Sequence, residues 1–85
     1  MYFVYIIKSE KTGNFYIGYT GNLEKRLIYH NSGLNQSTKY KGKWKFVYKE
    51  DFKSKTEVIR REKFLKKQKN THFYNKLIEG SSLYL

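Results

Sequence analysis

The chain is 85 residues long and carries 18 Lys plus Arg against 7 Asp plus Glu, a formal charge of +11 that favours polyanionic partners. A polypeptide this short supports one compact core and not two. Cysteine is absent, which excludes disulfides, thiolate nucleophiles and thiolate metal sites, whereas 9 Tyr, 6 Phe and 1 Trp supply the apolar surface that a disordered chain lacks.

The longest strongly apolar run, Tyr2 to Ile7, is far below the roughly 20 residues that cross a bilayer, and no cleavable leader pattern opens the chain; a cytoplasmic protein with no membrane contact is expected. That same run is short, aromatic and β-branched, which predicts a strand packed on both faces. Lys11-Thr12-Gly13-Asn14 supplies turn residues, and Phe15 to Tyr19 resumes the strand composition, so the two segments form a hairpin. Asn22 is a cap candidate, Glu24 suits a first turn and Gly33 a helix stop, predicting a helix from Leu23 to about Ser32. Leu34 to Lys43 is polar and basic and reads as a mobile connection of the kind that carries function. Trp44 to Tyr48 suggests a third strand. Ser54 and Glu57 have the spacing of a capping box and open a helix to about Lys69; a last helix runs from about Thr71 to Glu79, closed by Gly80. Residues 1–80 thus form one small α/β (α+β) domain with a three-stranded sheet, in the order strand, strand, helix, strand, helix, helix, and residues 81–85 a frayed tail.

Polar residues stand where two of these helices should be apolar. Projected at about 100° per residue, Leu23, Leu27 and Leu34 define the inward stripe of the first helix; His30 falls on that line and Arg26 flanks it. Such residues snorkel, are satisfied within the core, or line a cleft. In the second long helix Val58, Ile59 and Leu65 mark the inward side, and Glu62 projects among them. Glu62 is either half of a buried ion pair or a metal ligand, and a lone carboxylate suits Mg²⁺, which keeps several waters. Arg26 could then grip a phosphate bidentately. Tyr5 and Tyr16 lie on the paired strands, with Gly18 on the face of Tyr16 leaving room for a close approach.

Phe3-Val4-Tyr5, then Tyr16-Ile17-Gly18, with Arg26, His30 and a downstream helical Glu62, resembles the GIY-YIG nuclease domain over nearly the whole chain, from Tyr2 to about Ile78. The second half-motif is intact; in the first, Phe3 replaces the family's glycine. The resemblance implies a three-stranded antiparallel sheet flanked by helices and an endonuclease that uses Mg²⁺ or Mn²⁺ to hydrolyse phosphodiester bonds in nucleic acid, with DNA the expected substrate. It implies catalytic roles for Tyr5, Tyr16, Arg26, His30 and Glu62, with Glu62 as metal ligand. Asn75 is the nearest candidate for a family asparagine, although it projects away from the Phe73, Leu77, Ile78 stripe, and Tyr19 stands where some relatives carry lysine.

Phosphodiester hydrolysis needs a nucleophile in line, charge stabilisation and help for the leaving oxygen. Tyr5 is the first candidate for general base, provided that nearby cations lower its proton affinity, and His30 competes with it. Lys39, Lys41, Lys43 and Lys45 beside Trp44, with Arg60 and Arg61 on the long helix, are expected to meet the nucleic-acid backbone. Nothing in the sequence calls for an obligate protein partner. A catalytically silent DNA- or RNA-binding module and a ribosome-associated or adaptor protein remain the competing readings.

Overall fold

A computed structural model describes residues 1–80; the expected tail at 81–85 lies outside the described residues. The chain order is β1 (Tyr2–Ser9), β2 (Phe15–Thr20), α1 (Leu23–Asn31), β3 (Trp44–Phe52), α2 (Lys55–Gln68) and α3 (Thr71–Glu79). The three strands make one antiparallel sheet in the order β2-β1-β3, so the most apolar strand is the central one. Val4, Ile6 and Ile17 face α2 and α3, where they meet Val58, Leu65, Tyr74 and Ile78. Tyr5, Ile7 and Trp44 face the other way, against Leu23 and Leu27 of α1. Each side of the sheet therefore has its own apolar cluster, and the β1 run is continuous because both of its faces are covered.

Local chemistry sets the helix ends. Asn22 Oδ1 accepts the Lys25 amide at 3.0 Å, Ser54 Oγ accepts the Glu57 amide at 3.1 Å, and Asn70 caps α3 in the same manner. Helix α1 stops as expected at Ser32, followed by Gly33 with φ +81°. Leu34 consequently lies beyond the helix and is 71 % exposed, so it does not belong to the inward stripe assigned from its spacing.

Two further expectations are corrected. Strand β3 continues four residues past Tyr48 to Phe52. The pairing slips between Ile6↔Tyr48 and Ile7↔Phe46, a bulge that leaves Val47 without a partner and turns Val47 and Tyr48 toward the same apolar cluster. This breaks the alternation that marks a strand, and the charged Lys49-Glu50-Asp51 stretch beyond it suits a sheet edge. The basic connection before β3 is also pinned rather than loose. Asn31 exchanges two hydrogen bonds with the Trp44 backbone, at 2.7 and 3.2 Å, Trp44 Nε1 donates to the Thr38 carbonyl at 3.0 Å, and the Glu10 amide donates to the Lys43 carbonyl at 2.8 Å.

Candidate active site

The site is organised around a missing side chain. Tyr5 and Gly18 are directly paired across β1 and β2, and the Tyr5 ring crosses over Gly18 toward the open edge of the sheet. A Cβ at position 18 would stand 2.5 Å from the Tyr5 hydroxyl and 2.8 Å from Cζ, closer than atoms approach, so only glycine lets the phenol take this path. Beyond that edge α1 contributes Arg26 and α2 contributes Glu62. Together with Tyr5 and Tyr16 they line a cleft of about 350 Å³. A second hollow of about 590 Å³, walled by Asn22, Lys25 and Tyr29, shares Arg26, Thr20 and Gly21 with the first, so open space lies on both sides of the guanidinium. The Arg26 guanidinium lies over the Tyr29 ring, 5.5 Å from its centre.

His30 lies behind the cleft rather than in its wall. It is 1 % exposed, with its ring between those of Tyr5, Tyr16 and Tyr29. Its Nε2 is 2.9 Å from the Tyr5 hydroxyl and its Nδ1 is 3.1 Å from Thr38 Oγ1, so both ring nitrogens are satisfied. Burial, reinforced by the Arg26 charge, pushes its pKa down to about 4, and the imidazole is neutral at physiological pH. Burial also raises the Tyr5 phenol well above the ordinary tyrosine value; the neighbouring Tyr16 adds to the rise and Arg26 opposes it. The Tyr5 side chain is therefore a neutral hydroxyl joined to a neutral imidazole.

Glu62 keeps 14 % of its side-chain surface and meets Lys66 one turn on at 3.6 Å. Among the described residues no group of three or more His, Asp or Glu side chains forms a cage for a cation. The oxygen-bearing side chains in the cleft are one carboxylate, several tyrosines and Thr20. Such a set fits a hydrated divalent ion held at one point, as Mg²⁺ commonly is beside a phosphate, and does not fit a fully protein-ligated ion.

The structure thus gathers Tyr5, Tyr16, Arg26 and Glu62 in one cleft and places His30 directly behind Tyr5. It does not bring the lysines expected on the loop into the cleft wall: Lys39 and Lys41 are half-buried, and Lys43 and Lys45 are exposed. Arg60 is exposed, but Arg61, expected to face nucleic acid, is committed elsewhere: Nε and Nη2 both donate to the Glu50 carboxylate at 2.9 Å, and Tyr48 donates to the same group. Asn75 is exposed on α3. Sequence reasoning missed Thr38, Tyr29 and Lys55, the last being a cation in the cleft wall. The four-residue step from Lys55 to Ile59 and the further three to Glu62 do put Lys55 and Glu62 on one side of α2, a signal that was available.

A phenol-lined cleft with one acid and one guanidinium, at the edge of a three-stranded antiparallel sheet, defines a structural class, and the comparisons agree with it. The chain matches the GIY-YIG catalytic domain over residues 1–77 and belongs to that family. It is 44 % identical to a UPF0213 protein of Clostridium perfringens over 68 residues, which is 79 % of this chain and 72 % of that one. It is 40 % identical to a UPF0213 protein of Staphylococcus saprophyticus over 62 residues, 72 % of this chain and 74 % of the other. The solution structure of the UPF0213 protein BH0048 from Bacillus halodurans superposes with a TM-score of 0.56 at 30 % identity, covering 93 % of this chain and 84 % of that one. The same family and the same strand-strand-helix-strand-helix-helix fold are therefore established for this chain. GIY-YIG domains are generally endonucleases that use divalent metals, which implies a nucleic-acid substrate.

Proposed function

We propose that this protein is a divalent-metal-dependent endonuclease that hydrolyses phosphodiester bonds in DNA. The observation that carries this reading is the convergence of Tyr5, Arg26 and Glu62 on one cleft across a glycine that has no room for a side chain. A binding module gains nothing from a largely buried carboxylate facing its polyanionic ligand, whereas a hydrolase needs one to hold a cation.

Glu62 would hold Mg²⁺ or Mn²⁺, which when bound supplies Lewis-acid neutralisation of phosphate charge. Arg26 binds the phosphate from the α1 side, where it rests over the Tyr29 ring. Because burial keeps Tyr5 protonated, the phenol acts as a relay and not as a phenolate: it takes a proton from the attacking water while giving its own to His30 Nε2. The relay uses the tautomer in which Nδ1–H donates to Thr38 Oγ1; the leaving oxygen, on the opposite side of the phosphorus, takes its proton from solvent water. Tyr16, its ring tilted against His30 with centroids 4.8 Å apart, holds the imidazole and orients water.

A supercoiled plasmid incubated with protein and Mg²⁺ should be nicked, EDTA should stop the reaction, and Glu62→Ala should abolish it while the circular dichroism spectrum stays unchanged. Nicking at wild-type rate by the folded Glu62→Ala protein would overturn the assignment.

A further inference from the structure

The loop between α1 and β3 presents one residue against the logic of its surroundings. Tyr40 is 85 % exposed, and its φ is +69°, the left-handed region that bulky side chains occupy only when the structure imposes it. The imposition is visible on both sides. The Lys39 amide donates to the Asn35 carbonyl at 2.9 Å, and the Lys41 carbonyl accepts from Ser9 Oγ. Gly42, also at positive φ (+76°), packs against Lys11 and completes the turn. A rigid, tethered loop thus holds a large aromatic ring in water, with the Lys39 ammonium 5.0 Å from its centre and Lys41 and Lys43 close along the chain. Two residues earlier, Thr38 is buried and bonded to His30, so the ring is fixed to the element that closes the back of the cleft.

We propose that Tyr40 is a stacking platform for an unpaired base, with Lys39, Lys41 and Lys43 on the flanking phosphates, so that the protein prefers nucleic acid with a single-stranded segment. The partner follows from the chemistry. One ammonium against the phenol and two more lysines within three residues along the chain favour a polyanion with π-faces. Bases inside a duplex hide their faces in the stack, so a lone ring at a loop tip meets a base only where it is unpaired. Stacking on the loop stands apart from the nuclease reading above.

The test uses the full chain in EDTA, so that binding is read without cutting, and a 15-nucleotide single-stranded DNA carrying one central 2-aminopurine, with its blunt duplex as comparison. Wild-type protein should change the single-strand fluorescence through stacking. Tyr40→Ala should lose that change and bind the single strand roughly tenfold more weakly, with duplex affinity held within about twofold. Tyr40→Phe should behave as wild type. Tyr40→Gly, which accepts the positive φ without strain, repeats the loss in a protein whose fold is not in question. Equal single-strand binding by wild type and Tyr40→Gly overturns the proposal, as does an equal loss in Tyr40→Phe. If nicking is absent while these binding results hold, the nuclease assignment fails and the stacking platform stands.

Discussion

Gly18 and His30 show how much a single position decides here. The ring of Tyr5 reaches the cleft only because Gly18 has no Cβ, so Gly18→Ala must push the phenol aside or tilt β2. Its backbone is otherwise ordinary strand, and the expected result is a folded protein whose cleavage rate falls by about 100-fold, since a displacement near 1 Å at a reacting group has that effect. Single-turnover cleavage combined with a thermal melt checks both halves. For His30 the prediction concerns stability. Its folded pKa of about 4 lies below the ordinary 6.5, so the unfolded chain binds the proton more readily between those values. The stabilisation is therefore complete above about pH 6.5 and is lost as pH falls toward 4, by up to roughly 3 kcal/mol. Urea titrations at pH 7 and pH 4.5 should show a larger loss for wild type than for His30→Gln; an equal loss in both would contradict the assigned shift.

At the level of elements, β3 and α2 are joined by the Arg61, Glu50 and Tyr48 cluster, which is partly shielded, with 30 % and 23 % of the Arg61 and Glu50 side chains exposed. The three groups bias one another: burial and then the Glu50 hydrogen bond raise the Tyr48 phenol to about 12, while the same carboxylate raises Arg61 further. A pair between fully exposed and fully buried should contribute about 1–2 kcal/mol when one partner is removed. Arg61→Ala is therefore expected to lower the denaturation midpoint and leave the salt dependence of DNA binding unchanged. Arg60→Ala, on the exposed side of the same helix, should do the reverse, keeping stability and reducing the salt slope by about one. Denaturation and filter-binding titrations on the two variants separate a structural arginine from a nucleic-acid contact.

Over the whole molecule, a charge of +11 on so small a body gives a field that any polyanion meets before it meets the cleft. Affinity for duplex DNA should fall about a thousandfold between 50 and 200 mM salt if some six phosphates are neutralised. Fluorescence anisotropy across that range measures the slope, and a flat response would remove electrostatics from the account of binding. The sheet order contributes as well: with β1 central and β3 at the far edge, β2 is the edge beside the cleft, and α1 and α2 reach that edge from opposite faces. Two helices distant in sequence can then place a guanidinium and a carboxylate across one opening.

Much of this was legible in the chain alone, because the relevant forces act within a few residues. Caps at Asn22 and Ser54, the stop at Gly33, the buried β1 run and the inward Glu62 each follow from backbone chemistry or from periodicity along one element. What sequence could not supply were contacts between segments far apart. Thr38 behind His30, the capture of Arg61 by Glu50 and the bulge at Val47 depend on which strand lies beside which, and nothing in their local spacing records it. The composition and short-range pattern of the chain therefore determined its elements, its charge and the identities of its reactive side chains. Tertiary packing alone decided which of those side chains share a cleft and which cation is already spent, because desolvation and hydrogen bonding act through space and not along the chain.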